Sequence, residues 1–190
     1  LDWKRFITYQ TIDFFRVESA PLREHAPGVP ITTNFMDQYP YLNYREFAPE
    51  LDVISWDSYP SLHDRDGDWK IAVQTSFSHD LFRSFKHGKP FMLMESSPSV
   101  QNWNPVSKLK RPGLQHTESL QAVAHGSDTV QYFQWRKSRG GFEKFHGAVV
   151  DHCGHERTRV FQEIAQNGHT LARLDGVIGT TVHPETAILF

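Results

Sequence analysis

Glu95 stands where the apolar run Phe91-Met92-Leu93-Met94 ends and Ser96-Ser97-Pro98 turns the chain away. A carboxylate held on a rigid strand end and aimed at a cleft suits nucleophilic displacement at the anomeric carbon of a sugar. That reaction needs an ionised oxygen on a fixed line of attack. The competing reading is a structural carboxylate, paired with an arginine or capping a helix. Glu143 and His146 lie in the run Gly-Phe-Glu-Lys-Phe-His-Gly. A glutamate can grip sugar hydroxyls in pairs and a histidine can donate or accept at one of them, although spacing alone favours an ordinary surface loop. Trp103 sits among Gln101, Asn102 and Asn104. Core packing explains an indole there poorly, and a ring facing a sugar explains it better. Trp56 and Tyr59 flank Asp57; Trp56 reads as packing and Tyr59 as a polar contact near Glu95. Trp135 serves equally as a platform or as a core residue at the rim.

Other chemistries find less support. The run His152-Cys153-Gly154-His155 matches no standard zinc spacing, and the chain has no second cysteine, so no metal site is expected. Arg136-Lys137-Ser138-Arg139 reads as a solvated loop, or as cations lining an acidic cleft. No G-x-S-x-G elbow occurs. No G-x-G-x-x-G or phosphate-binding loop follows any strand candidate.

The elements that must position these residues alternate. Leu1 to His25 has apolar residues (Trp3, Phe6, Ile7, Phe14, Phe15) at roughly helical spacing and ends at Pro27-Gly28. Strand candidates follow at Ile31 to Met36, Asp52 to Tyr59, Phe91 to Glu95 and Thr129 to Trp135. Helix candidates are Ile71 to Lys86, His116 to His125 and Glu156 to Leu174, with loops at Ser61 to Trp69 and Ser96 to Gly113. Strands alternating with helices predict a parallel sheet. The unbroken apolar Phe91 to Met94 predicts a strand covered on both faces. Polar residues collect at strand ends: Asn34, Asp57, Glu95 and Arg136. In a (β/α)8 barrel that edge is the catalytic face, and the missing nucleotide motifs favour a barrel over an open doubly wound sheet. A whole barrel takes about 250 residues, so four strands make half of one.

Bulk composition limits the partners. The 190 residues carry a formal net charge of −2, which offers no field for nucleic acid or an anionic membrane. No stretch approaches the ~20 apolar residues that span a bilayer, and no signal peptide opens the sequence. A lone cysteine, Cys153, permits no internal disulfide and fits a reducing, cytoplasmic setting. The start at Leu1 and the apolar final run Ala187 to Phe190 suggest a piece of something longer.

The long motifs FMLMESSPS, NW, KRPG and SLQAVAHGSDTVQYFQWRKSRGGFEKFHGAVVDH closely resemble the later part of glycoside hydrolase family 42 β-galactosidases. ITTNFM and DVISWDSYP resemble that family's fifth and sixth barrel strands. The likeness covers essentially the whole chain. It implies an α/β (β/α)8 TIM barrel of which residues 1–178 are the second half, strands five to eight. Residues 179–190 would then begin a following α/β trimerisation domain. It also implies that Glu95 is the nucleophile and that Tyr59, Trp103, Glu143 and His146 bind galactose. The family's acid/base glutamate follows an asparagine near the end of strand four, and no Asn-Glu pair occurs here.

The resemblance therefore implies a retaining β-galactosidase that acts without a cofactor, as a homotrimer, on terminal β-galactosyl groups. This chain would hold half of the machinery and be inactive alone. Two alternatives are a related barrel glycosidase acting on another β-glycoside and a non-catalytic carbohydrate-binding module.

Overall fold

The computed structural model describes residues 1–62 and 67–189. The loop expected over Ser61 to Trp69 therefore lies partly outside the described residues, as does Phe190. The helices are α1 (Asp2–His25), α2 (Tyr44–Phe47), α3 (Asp68–Ser84), α4 (Leu114–Ala124) and α5 (Arg159–Leu171). The strands are β1 (Asn34–Met36), β2 (Ser55–Ser58), β3 (Phe91–Ser96) and β4 (Ser127–Val130). The strands form one four-stranded sheet in the order β1-β2-β3-β4, and every neighbouring pair is parallel. Parallel neighbours need a crossover between them, and helices α2, α3 and α4 lie on the three crossovers.

Several element bounds differ from the sequence expectation. The first strand is only Asn34–Met36, because Ile31 and Thr32 bond to Asp52 and Val53 outside the regular ladder. The last strand is Ser127–Val130 rather than Thr129 to Trp135. Beyond it, Gln134 to Lys137 turn away to pair with Gly147 to Val150. The final helix is Arg159–Leu171, started by Thr158 whose side chain accepts from the Phe161 amide, and Ala172–Val177 tightens into a 3-10 turn. In α1 the inward residues are Thr8, Ile12, Phe15 and Ser19, while Trp3, Phe6 and Phe14 are exposed. Residues 178–189 form no helix or strand.

The core lies between one sheet face and helices α1 to α3. Phe35, Trp56 and Leu93 are cross-strand partners, and all are buried. Trp56 stacks on Phe82 of α3 with ring centroids 4.8 Å apart, so it packs as expected. Phe91 stacks on His79 of α3, centroids 5.5 Å apart. Met92 and Met94 are only partly buried. Within these 190 residues the helix side of β3 is sealed and its other side is partly open.

Candidate active site

An irregularity in β3 decides where Glu95 points. Along β2 and β3, Ser55 pairs with Met92 and Trp56 with Leu93, but the next residue, Asp57, pairs with Glu95. Met94 is the extra residue. Strict alternation would place Glu95 on the same face as Phe91 and Leu93, against the helices. The inserted residue resets the alternation, as bulges beside active sites do. Glu95 joins Asp57 and Met36 on the open face, and burial along β3 follows, with two partly exposed residues in succession at Met94 and Glu95.

Two side chains converge on Glu95 and its neighbour Asp57. The Tyr59 hydroxyl, just past β2, donates to Glu95 Oε2 at 2.7 Å. Asn34 Nδ2 of β1 donates to Asp57 Oδ2 at 2.5 Å and reaches Glu95 Oε1 at 3.4 Å. The other Asp57 oxygen, Oδ1, is buried with no hydrogen-bond partner among the described residues. Burial raises the Asp57 carboxyl to about 7; the Asn34 hydrogen bond opposes the rise and the nearby Glu95 adds to it. Burial, then the hydrogen bond to Glu95, pushes the Tyr59 phenol up from its ordinary range and keeps it a donor.

The opposite wall comes from the loops after β3 and β4. Trp103 is 54% exposed. Its ring stacks on His146 with centroids 5.0 Å apart and meets Tyr59 edge-on at 4.8 Å. His146 is fully buried beneath these rings. Its Nδ1 lies 3.1 Å from Asn102 Oδ1 and 3.7 Å from Glu143 Oε2. Burial lowers its pKa, and the Glu143 charge opposes that shift. Asn102 Nδ2 donates to the Phe142 carbonyl at 2.7 Å, and the Gly147 amide donates to Val100 O at 2.8 Å. A Cβ at Gly147 would lie 2.7 Å from Val100 N, so only glycine lets the two loops come this close.

Lys110 braces the turn behind Glu95. Its ammonium is buried, donates to Ser97 O at 2.7 Å and pairs with Glu118 of α4. A buried network of Gln115, Ser119, Tyr132 and Asn167 anchors the chain leaving β4.

These walls enclose a cleft of about 700 Å³, lined by Asp57, Tyr59, Glu95, Trp103, Phe133 and Glu143 among others. The residues singled out from the sequence thus come together: Glu95, Tyr59, Trp103 and Glu143 line the cleft, and His146 supports Trp103 from below. Trp135 does not line the cleft and is 67% exposed. From sequence alone Asn34 and Asp57 stand out only as polar residues at strand ends, and nothing local marks Asn102 or Phe133 as part of the site. The strand-end position of the first two was the available signal. Among the described residues no cluster of His, Cys, Asp and Glu is arranged to hold a metal ion, and no helix is long and apolar enough to cross a membrane.

A family model for glycoside hydrolase 42, described as β-galactosidase, matches residues 1–174. The chain is 58% identical over 190 residues to the β-galactosidase BglY of Alicyclobacillus acidocaldarius, covering 100% of this chain and 28% of that protein. It is 56% identical over 193 residues to the β-galactosidase Pbg of Clostridium perfringens, with the same coverage of each. The chain therefore spans little more than a quarter of the length of these relatives. Among solved structures it is similar to the β-galactosidase of Rahnella sp. R3, with a TM-score of 0.95 and 54% identity over 97% of this chain and 27% of that one. It is also similar to a catalytic Glu-to-Ala mutant of a GH42 β-galactosidase from G. stearothermophilus, with a TM-score of 0.92 and 52% identity over 96% of this chain and 28% of that one.

Proposed function

This chain belongs to the glycoside hydrolase family 42 β-galactosidases, and from that premise we propose that it supplies the nucleophile and the galactose-side wall of a retaining β-galactosidase. One observation carries the reading: the Glu95 carboxylate stands in the cleft, oriented by the Tyr59 hydroxyl and the Asn34 amide. The four strands are strands five to eight of a (β/α)8 barrel. Residues 179–190 open a trimerisation domain, and the full-length protein is a cytoplasmic trimer.

Glu95 attacks the anomeric carbon while a second carboxylic acid protonates the departing oxygen; water then releases the sugar with retained configuration. Retention requires the two carboxyl groups to stand about 5–5.5 Å apart across the scissile bond. Asp57 does not take that second role. It is Glu95's cross-strand partner and shares the Asn34 amide with it, so both lie on one side of the cleft. The acid/base group lies outside these 190 residues, as the family resemblance implies: that glutamate follows an asparagine, and no Asn-Glu pair occurs here; the chain alone turns over no galactoside. Trp103 offers an aromatic face to the sugar, and Glu143, backed by His146, grips its hydroxyls. The chemistry needs no cofactor.

The test is mechanism-based labelling of the full-length protein with a 2-deoxy-2-fluoro-galactoside, followed by peptide mapping. The label is expected on Glu95. Glu95→Ala should lose turnover of an aryl galactoside while keeping its fold, and azide should restore an α-galactosyl azide product. A label on another residue, or near-normal turnover by the variant, overturns the assignment. An aryl glycoside panel separates galactosidase from arabinosidase or fucosidase, and no turnover of any member would indicate a binding module.

A further inference from the structure

The mechanism above leaves Asp57 unused, although it is the residue closest in register to the nucleophile. It lines the cleft beside Glu95. Its Oδ2 accepts from Asn34 Nδ2 at 2.5 Å, while the same nitrogen reaches Glu95 Oε1 at 3.4 Å. Its Oδ1 is buried without a hydrogen-bond partner among the described residues. A buried carboxylate with an unsatisfied oxygen beside a second carboxylate is costly, and a protonated carboxyl, which leaves only a neutral group unpaired, costs less.

We propose that Asp57 is a positioning residue, an uncharged carboxyl group that fixes the Asn34 amide and through it the attack direction of the Glu95 carboxylate. This inference rests on Glu95 being the nucleophile. Its logic is electrostatic. An amide shared between one neutral and one ionised carboxyl group can serve both. If both were ionised, each could still take one of the two amide N–H groups, but the two negative charges would repel each other.

The charged and titratable groups facing Asp57 agree with a neutral role. Glu95 from β3 adds negative charge and Tyr59 is a neutral hydroxyl. Across the cleft stand Glu143 and the buried His146. Asp37 lines the cleft beyond β1, and α3 presents Ile71, Gln74, Thr75 and Ser78, none of them charged. Among the described residues that line the cleft, no cation stabilises an ionised Asp57. Burial holds its pKa near 7.

The experiment compares Asp57→Asn, Asp57→Ala, Asn34→Ala and the Asn34→Ala/Asp57→Ala double variant in the full-length protein, using an aryl β-galactoside. Asp57→Ala should lower kcat about 10- to 100-fold, the size of one hydrogen bond to a charged group, with KM nearly unchanged. Asp57→Asn, which mimics the neutral carboxyl, should recover most of that loss. It should also remove one ionisation from the alkaline limb of kcat/KM. The double variant should be no slower than the slower single variant, because the two residues act in series.

Equal loss in Asp57→Asn and Asp57→Ala would show that the charge is needed and would overturn the proposal. So would a rise in KM at constant kcat, which means sugar contact, or losses that multiply in the double variant. The 2-fluoro-galactoside separates the two readings. If Asp57→Ala is labelled at Glu95 but as fast as the wild type, positioning fails while the nucleophile stands. If the wild type is not labelled at Glu95, both fall.

Discussion

Tyr59 and Glu95 meet across the β2–β3 boundary, the phenol hydroxyl donating to the carboxylate at 2.7 Å. The phenol's pKa is raised by burial and by Glu95 itself, so it stays protonated wherever the protein is folded. A permanent donor on one carboxylate oxygen leaves the other to attack.

Tyr59→Phe removes that donor without changing the ring that meets Trp103. In the full-length protein kcat for an aryl galactoside should fall about 10- to 100-fold, consistent with one hydrogen bond to a charged group. KM should change little. Steady-state kinetics decide it: an unchanged kcat would mean that Glu95 is oriented without the phenol.

His79 governs acid stability. It is 1% exposed between Phe91 and Trp56, and burial lowers its pKa to about 3. A histidine released by unfolding returns to an ordinary pKa of about 6.5. The unfolded chain therefore binds more protons between these values. The stability that neutral His79 contributes is present above about pH 6.5 and is lost as pH falls toward 3. His79→Phe, of similar shape, should flatten the fall in Tm between pH 6.5 and 4. Parallel Tm–pH curves for variant and wild type would refute this.

Lys110 and Glu118 form a buried ion pair behind the Glu95 turn; their side chains are 2% and 10% exposed. Removing one partner strands a buried charge, which typically costs about 3–5 kcal/mol. Lys110→Met should therefore destabilise by that order in denaturant titrations. Lys110→Met/Glu118→Leu should recover more than half of the loss, because no charge is left unpaired. A double variant as unstable as the single would show that the bond from Lys110 to Ser97 O matters more than the charge pair.

Sequence by itself determined the chemical inventory and the kind of fold. The apolar run Phe91 to Met94 ending at Glu95, the helix-strand alternation and the long shared motifs sufficed to expect a parallel sheet with a carboxylate at its functional edge. These features are local, since a strand end or helix stop depends on neighbours a few residues away. What only the tertiary structure decided was direction and company. Read with a period of two, Glu95 belongs on the helix face with Phe91 and Leu93; the extra residue Met94, visible only in the pairing with Trp56 and Asp57, turns it into the cleft. Asn34 lies 61 residues from Glu95, and no periodicity announces that its amide joins two carboxyl groups. Nor could the sequence show that His146 lies beneath Trp103, because that depends on Gly147 letting two loop backbones touch. Residue types carry the chemistry, whereas register and close packing are cooperative properties of chains brought side by side, and those settle which groups share the cleft.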